Sequence, residues 1–171
     1  TGRLTADYLI CEDDFLVVQR DIAYVTEDDS ITADSRVLSQ SYKVNGVEKA
    51  KTQNRYIDNY KRLNAKLTTI GSYTYDKSFT YSNSRITRVM DVKNGFNYHN
   101  VSYGYDSMGR IVSEVDSKNT NINNTYAYDS YGQLIRENNK SLDKTYEYVY
   151  NNIGNIESVK TYPYTAQGTE L

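Results

Sequence analysis

The sequence predicts an all-β protein, an antiparallel meander of successive β-hairpins forming a curved, twisted open sheet that is a piece of a longer repeat array. Three observations lead to this prediction. The 171 residues include 19 Tyr but only 3 Phe and no Trp, and Tyr suits a half-buried sheet face because its ring buries apolar area while its hydroxyl reaches a polar partner. A Tyr-rich motif recurs with a period of about 22 to 24 residues, and each clear copy leads into residues typical of a tight turn.

The repeat has three clear copies with the pattern Tyr-x-Tyr-Asp/Asn-x-x-Gly, at residues 103–111, 126–134 and 148–156. Two degenerate copies without the glycine lie upstream, at about 57–63 and 79–86. Fainter traces occur at 33–37 and 2–4. The periodicity divides the chain into a degenerate, strand-rich region, 1–56, and a region of repeats, 57–171.

Each clear copy predicts a hairpin. Tyr-x-Tyr places two rings on one face of a strand, because strand side chains alternate. The following Asp begins a turn by accepting backbone N–H bonds, and the Gly three residues later supplies a positive φ. The spacing therefore predicts a type I turn plus bulge. The residues expected to build the repeat are Tyr105, Asp106, Gly109, Arg110, Tyr128, Asp129, Gly132, Tyr150 and Gly154.

Between the copies, Asn94-Gly95 separates two strand-like runs and predicts a short hairpin. Phe96 and Tyr98 lie at even-numbered positions and Val101 at an odd-numbered one, so regular alternation would put them on opposite faces. An extra residue in the strand would bring them to the same face, which predicts a bulge near His99 and Asn100.

The first third of the chain is less regular. A strand-rich stretch, 14–26, lies between acidic clusters at 12–14 and 27–29. In the segment 47–67, the spacing of apolar residues is also compatible with a helix. The position of this segment in the period of the repeat favours strands, and both the strand and the helix stay open at this point.

Composition excludes several classes of function. A net charge of -2 gives no positive field for nucleic acid. One cysteine, Cys11, excludes an internal disulfide and a Cys-based zinc site. No apolar run approaches the roughly 20 residues of a membrane span. Because Thr1 is not an initiator methionine, we expect a longer parent protein.

The candidate chemistry is sparse, and we expect neither an enzyme nor a bound metal or cofactor. The sole histidine, His99, is expected to be structural or to face solvent. The acidic clusters lack the spacing of a calcium loop, which favours solvated turns. The tyrosines that suit stacking on a sugar ring are Tyr103, Tyr126, Tyr146 and Tyr148. The competing interpretation is that these rings pack against one another across strands.

The segment Tyr105-Asp106-Ser107-Met108-Gly109-Arg110-Ile111 resembles the Tyr-Asp (YD) or rearrangement-hot-spot (Rhs) repeat, whose pattern is Tyr-Asp-x-x-Gly-Arg-Leu. The resemblance implies a very large secreted or cell-surface protein whose hairpins spiral into a hollow shell. In bacterial polymorphic toxins and insecticidal toxin complexes such a shell encloses a toxic C-terminal domain, and the teneurins carry a similar barrel in an adhesion ectodomain.

Two hypotheses follow. The first is a non-enzymatic structural segment of a YD-repeat shell that encapsulates or presents a C-terminal toxin or effector, its partners being flanking repeats and the enclosed domain. The alternative is a cell-surface carbohydrate-binding or adhesion module that uses its Tyr-rich sheet face.

Overall fold

The computed structural model describes residues 5–11, 16–24, 36–57 and 61–169. These residues contain thirteen strands and no helix. The strands form one sheet in which spatial order equals chain order, from β1 to β13. Every described ladder is antiparallel, and the two outer strands, β1 and β13, do not pair with each other. The predicted all-β antiparallel meander is therefore confirmed.

The strand bounds are β1 (Ala6–Cys11), β2 (Leu16–Tyr24), β3 (Val37–Val44), β4 (Val47–Ile57), β5 (Arg62–Ile70), β6 (Tyr73–Ser82), β7 (Arg85–Lys93), β8 (Phe96–Tyr105), β9 (Ile111–Asp116), β10 (Asn123–Tyr128), β11 (Leu134–Asn139), β12 (Lys144–Tyr150) and β13 (Ile156–Pro163). The described residues of the segment 47–67 lie in β4 and β5 and in a turn at Lys61, so the helical alternative was wrong.

The chain divides into two compact units. The first comprises Thr1–Thr80 with Met90–Tyr98, and the second Tyr81–Val89 with His99–Leu171. The sequence division between residues 56 and 57 stays a prediction. The acidic clusters, the traces at 2–4 and 33–35, and residues 58–60 of one degenerate copy lie outside the described residues.

Two Asn-Gly turns connect strands of the first unit. In both Asn45-Gly46 and Asn94-Gly95, φ is 48° at Asn and 80° at Gly, as a two-residue type I′ turn requires. The Asn94 amide N–H donates to the Thr74 carbonyl at 2.9 Å, and its side-chain oxygen accepts from the Thr74 N–H at 2.8 Å. Asn45 makes the same two bonds with Val17. The predicted hairpin at Asn94-Gly95 is thus present.

The sheet has little apolar core. Among the described residues, the only buried hydrophobic side chain is Ala65, which is 5% exposed. The second unit instead buries Asn138 and Thr145, at 2% and 0% exposure. The Asn138 amide donates to the Thr125 hydroxyl at 2.8 Å, and the Thr145 hydroxyl accepts from the Thr165 N–H at 2.9 Å. Because buried polar groups stabilise a fold only when they are paired, this interior depends on its hydrogen bonds.

Strand β8 differs from the expectation of a bulge at His99. It runs without interruption from Phe96 to Tyr105, and the register shift of its ladder with β9 falls between Gly104 and Tyr105. Phe96 and Tyr98 are 79% and 66% exposed, whereas His99 is half-buried. The expectation assumed that all aromatic residues share one face. Phe96 and Tyr98 instead point to the face opposite His99, so the side chains of β8 alternate regularly without a bulge at His99.

His99 has a structural partner, Asp116, at the end of β9. The His99 Nδ1 lies 2.6 Å from an oxygen of Asp116, whose side chain is 0% exposed. The same carboxylate accepts backbone N–H bonds from Asn100 at 3.0 Å and Lys118 at 2.8 Å. Burial acts to raise the pKa of Asp116, but the bonds from His99 and the backbone amides outweigh it and lower that pKa below the ordinary value. The ionised carboxylate closes the turn after β9.

Replacing Asp116 by Asn should lower the free energy of unfolding at pH 7 by about 1–3 kcal/mol, because a buried charged acceptor is lost. A carboxyl with a lowered folded pKa stabilises above its unfolded pKa of about 3.9, and this contribution disappears as the pH falls through the folded value. The difference between the variant and the original chain should therefore shrink in acid. Urea unfolding followed by circular dichroism from pH 7 to pH 3 measures it.

The matched control is Asp143→Asn. Asp143 is an exposed turn residue with φ of 51°, a conformation that Asn tolerates. Its stability should match that of the original chain at pH 7. Equal stability of Asp116→Asn and Asp143→Asn would contradict the role assigned to Asp116.

Candidate functional site

The second unit carries two recurring arrangements, a junction between successive hairpins and a row of alternating tyrosines and glutamates. The junction begins with the turn at Asp106. The Gly109 N–H donates to the Asp106 carbonyl at 3.0 Å, and Gly109 has φ of +87°. The Asp106 carboxylate accepts from the Arg110 N–H at 2.9 Å. These bonds and the register shift at Tyr105 make a type I turn with a bulge.

The same turn geometry recurs in the next two copies. The Asp129 carboxylate accepts the Tyr131 and Gln133 N–H groups at 2.9 and 2.8 Å. In the third copy the side-chain oxygen of Asn151 accepts two equivalent N–H bonds, at 3.1 and 3.0 Å. A neutral amide oxygen therefore satisfies the turn as well as a carboxylate does. The negative charge of Asp106 has a further partner.

That partner is Arg110, which joins two successive hairpins. Its Nε donates to the Asp106 carboxylate at 2.6 Å, within its own turn. Its NH1 donates to the Asp129 carbonyl of the next turn at 3.2 Å. Its guanidinium also lies 4.6 Å from the ring centroid of Tyr128, a cation–π contact. The hydrogen bonds that Asp106 accepts from the Arg110 backbone N–H and from its Nε favour the charged carboxylate and lower the pKa of Asp106, although burial acts to raise it.

The tyrosine that directly precedes each turn residue completes the junction. Its hydroxyl donates to a backbone carbonyl at the start of the strand that follows the preceding hairpin turn. The three bonds are Tyr105 to Ile86 at 2.5 Å, Tyr128 to Ile111 at 2.9 Å and Tyr150 to Leu134 at 2.9 Å. Each ring thus spans from its own strand back to the previous hairpin. The packing is between repeats rather than within one.

The arginine of the preceding copy lies against the glycine of the turn. The Arg85 guanidinium occupies the volume into which a Cβ at Gly109 would project. Arg85 also lies 5.7 Å from the Tyr105 ring centroid, as Arg110 lies over Tyr128. Because the end of an arginine side chain can move aside, the positive φ of Gly109 is what explains why this position is glycine.

Sequence reasoning found Arg36 and Arg85 only as parts of a faint trace and a degenerate copy, and it did not pair either of them with a tyrosine. In the first unit, Arg36 lies 4.6 Å from the Tyr56 ring centroid, and the Tyr56 hydroxyl donates to the Val37 carbonyl at 2.9 Å. The sequence pattern that marks this contact is an Arg followed by a β-branched residue, with a Tyr 20 positions after the Arg. Arg85 and Tyr105 have the same spacing. The loss of the turn glycine concealed it.

Replacing Tyr128 by Phe should lower the free energy of unfolding by about 0.5–1.5 kcal/mol, the typical net contribution of one hydrogen bond. The ring and its contact with Arg110 remain, so the change isolates the bond to the Ile111 carbonyl. Tyr131→Phe is the control, because Tyr131 is 90% exposed at the turn and should unfold like the original chain. Chemical denaturation of both variants decides the question, and a Tyr128→Phe chain as stable as its control would argue against this bond.

The second arrangement, the Tyr–Glu row, lies on one face of β8 to β12 and comprises Tyr103, Glu114, Tyr126, Glu137, Tyr146 and Tyr148. Cross-strand register places its members side by side: Tyr103 is opposite Glu114, Tyr126 is opposite Glu137, and Glu137 is also opposite Tyr146. The Tyr126 hydroxyl donates to Glu114 at 3.4 Å, and the Tyr148 hydroxyl to Glu137 at 3.2 Å. Tyrosines and carboxylates therefore alternate across the strands.

All four tyrosines predicted to stack on a ligand belong to this row, and all four are half-buried. Tyr103 and Tyr126 line a groove of about 330 Å³, together with Glu114 and Tyr128. Tyr148 lines a separate groove of about 620 Å³ beside Tyr131. The structure thus does not gather the four rings into one site. The glutamates, which sequence reasoning did not single out, lie between them.

Burial raises the pKa of Tyr126 to about 12, and the negative charges of Glu114 and Glu137 add to the effect. Burial and Glu137 also raise the pKa of Tyr148. Both phenols are therefore neutral hydrogen-bond donors at physiological pH.

Titration of Tyr126 should make the fold less stable in alkali. Its raised folded pKa means that the stabilisation is complete below the unfolded value of 10 and is lost as the pH rises towards 12. The free energy of unfolding should fall less steeply over this interval in Tyr126→Phe, which cannot ionise. Unfolding curves at several alkaline pH values measure the slope, with Tyr131→Phe as the control that keeps the original steepness. Identical slopes in the two variants would refute the assignment.

Within residues 5–11, 16–24, 36–57 and 61–169, no three His, Cys, Asp or Glu side chains are grouped so that they could hold a metal ion. Across the same ranges, no helix has the length and apolar character needed to cross a membrane.

Comparisons with known proteins give structural similarity only. No protein-family model matches the sequence, and no curated protein matches it. The fold is similar to a chain of the Photorhabdus luminescens Tc holotoxin pore, with 13% identity and a TM-score of 0.48 over 86% of this chain. It is also similar to TcdB2-TccC3 crystallised without its hypervariable C-terminal region, with 15% identity and a TM-score of 0.47 over 85%. The chain spans 10% of the length of each. With TM-scores below 0.5, neither match identifies the function of this chain.

Proposed function

We propose that this chain is a structural, non-catalytic segment of a YD-repeat shell that encloses or presents a C-terminal toxin or effector. The observation that carries the proposal is the junction repeated between hairpins. Arg110 binds Asp106 in one turn, the Asp129 carbonyl in the next and the Tyr128 ring between them. A motif whose polar groups bind the adjacent copy serves to extend a sheet.

The polar side chains of the motif are occupied by these contacts. The carboxylates of Asp106 and Asp129 cap their own turns, and the tyrosine hydroxyls bind backbone carbonyls. A catalytic site would need titratable groups that converge on a space where a substrate can bind. The pair formed by His99 and Asp116 closes a turn instead. These features support a scaffold rather than an enzyme.

The proposed partners are flanking repeats of the parent chain and an enclosed domain. Within the described residues, β13 pairs only with β12, and nearly all of its side chains are exposed. An outer strand has backbone groups ready to pair with a further strand. We place the parent protein outside the cell or at its surface because the Tyr105 to Ile111 segment resembles repeats of secreted shells.

The alternative of a carbohydrate-binding surface has less support. Stacking on a sugar needs an exposed ring face, whereas Tyr103, Tyr126, Tyr146 and Tyr148 are half-buried within their row.

The test uses the parent protein that contains this segment, treated with a protease under native conditions. The region C-terminal to the repeats should be protected, because a shell excludes the protease. Deleting residues 106–128 removes one whole period, which is two strands, and joins Tyr105 to Asp129, so the following strands keep their direction. This deletion should preserve protection.

Deleting residues 111–122 instead removes one strand, β9, with the segment that follows it, and reverses the direction of every strand after it. This deletion should expose the C-terminal region to the protease. A C-terminal region that is cleaved as fast in the unaltered parent as in the single-strand deletion would refute the shell.

A further inference from the structure

The junction between the second and third clear copies lacks the arginine of the junction before it. In the earlier junction Arg110 binds the Asp106 carboxylate at 2.6 Å and the Asp129 carbonyl at 3.2 Å. Its guanidinium lies 4.6 Å from the Tyr128 ring centroid. In the next copy the corresponding residue is Gln133. Its amide is neutral and its side chain is shorter, so it does not reproduce this set of contacts.

The three groups that hold the guanidinium recur in the second junction. There the Asp129 carboxylate corresponds to that of Asp106, and the Tyr150 ring corresponds to that of Tyr128. The Asn151 carbonyl takes the place of the Asp129 carbonyl. These two carbonyls accept the N–H of their turn glycines in the same way, at 3.0 and 3.2 Å. The second junction therefore keeps the carboxylate, the ring and the carbonyl that bind a guanidinium one repeat earlier.

The Asp129 carboxylate has one oxygen that is available to a cation. Its other oxygen accepts the Tyr131 and Gln133 N–H groups, at 2.9 and 2.8 Å. In the described part of the chain, no hydrogen bond reaches the available oxygen and no basic side chain pairs with it. The corresponding oxygen of Asp106 is the one that accepts from the Arg110 Nε.

A groove of about 620 Å³ lies at these groups. Its lining includes Asp129, Tyr150 and Asn151, together with the aliphatic side chains of Ile135 and Val149. A carboxylate beside an aromatic ring favours a cation, and a planar guanidinium uses both. The two aliphatic side chains suit the methylene stem of an arginine. The lining is thus complementary to both ends of an arginine side chain.

Gln133 takes the same path as Arg110 towards the following turn. Its Nε2 lies 3.4 Å from the point where a Cβ on Gly154 would stand, and the Arg110 NH1 lies 3.8 Å from the equivalent point on Gly132. An arginine at position 133 should therefore reach the Asp129 carboxylate and fill the groove.

We propose that this groove binds the arginine side chain of a partner polypeptide. The incoming guanidinium pairs with the Asp129 carboxylate, lies over the Tyr150 ring and donates to the Asn151 carbonyl. Lysine is a poorer occupant, because a compact ammonium does not combine planar, forked hydrogen bonding with stacking. The inference rests on the geometry of the junction and holds whether or not the chain is part of a shell.

The test is a titration of the 171-residue chain with N-acetyl-L-arginine methylamide, followed by the NMR signals of the backbone amides around Gly154. These signals should shift saturably. The citrulline analogue, whose urea has the same shape without the charge, should bind at least tenfold more weakly. The lysine analogue and the guanidinium ion should each bind at least threefold more weakly, because the first lacks the planar donors and the second lacks the methylene stem.

Two variants test the site itself. Gln133→Arg should weaken binding of the arginine probe at least tenfold, because the chain's own guanidinium fills the groove. The same variant should raise the midpoint of thermal unfolding by about 2–4 °C, since it restores the junction that Arg110 makes. Asp129→Asn should also weaken binding at least tenfold, and Asn151 shows that this turn accepts an amide oxygen.

The matched control is Asp143→Asn, which removes the same charge from an exposed turn at the other end of β12. It should bind the arginine probe within about twofold of the original chain. Circular dichroism establishes that each variant is folded. If a variant were unfolded, the comparison of the arginine and citrulline probes on the original chain would still decide the question.

Four results would overturn the proposal. Equal binding of the arginine and citrulline probes would show that charge is not recognised. Equal loss in Asp129→Asn and Asp143→Asn would show a general attraction rather than a local one. Unchanged binding in a folded Gln133→Arg chain would place the probe elsewhere. Binding of the lysine probe or the guanidinium ion as tight as that of the arginine probe would exclude an arginine side chain as the specific occupant.

Discussion

The tyrosine hydroxyl that reaches back to the previous hairpin is the interaction on which this structure depends. The sheet has almost no apolar interior in its described part, where Ala65 is the only buried hydrophobic side chain. Backbone ladders join the strands but do not define how one turn lies against the next. The bond from Tyr128 to the Ile111 carbonyl does so, and Tyr105 and Tyr150 repeat it. A chain rich in Tyr rather than Leu suits a thin sheet, because a ring both covers apolar area and ends in a donor.

The other residues of the motif follow from this contact. A tyrosine aimed at the previous hairpin needs a bulge in its strand, and the register shifts at Tyr105, Tyr128 and Tyr150 supply it. The bulge requires positive φ, hence glycine in all three clear copies. Asp or Asn holds the turn with its side-chain oxygen, and Arg extends the contact to the next copy. In the later copies Gln133 and Asn155 stand where Arg110 stands, so the cation–π part of the junction is lost while the tyrosine bond of Tyr150 remains.

Much of this fold was predictable because the turns are encoded locally. The turn geometry at Asp-x-x-Gly and at Asn94-Gly95 follows from adjacent residues alone. The regular period of the repeat indicated a meander of successive hairpins. The junction between Arg36 and Tyr56 was not predictable in the same way, because without its glycine only a distant pair of residues remained. The error at His99 had another cause: period-2 alternation cannot say which of two aromatic sets faces inward. Glu114 and Glu137 were missed because their meaning depends on cross-strand register, which the sequence does not state.

The strand order has a consequence for how such a chain is made. Every ladder in the described part of the chain joins strands that are neighbours in sequence, as when Tyr150 pairs with Ile156 and Lys144 with Pro163. Contacts of such short separation carry a low entropic cost of loop closure and fold fast. Each hairpin can therefore form as soon as its second strand emerges from the ribosome, and its tyrosine can attach it to the hairpin already present. Growth by addition in chain order needs no distant partner, so the sheet can lengthen by duplication of its repeat without a new folding nucleus.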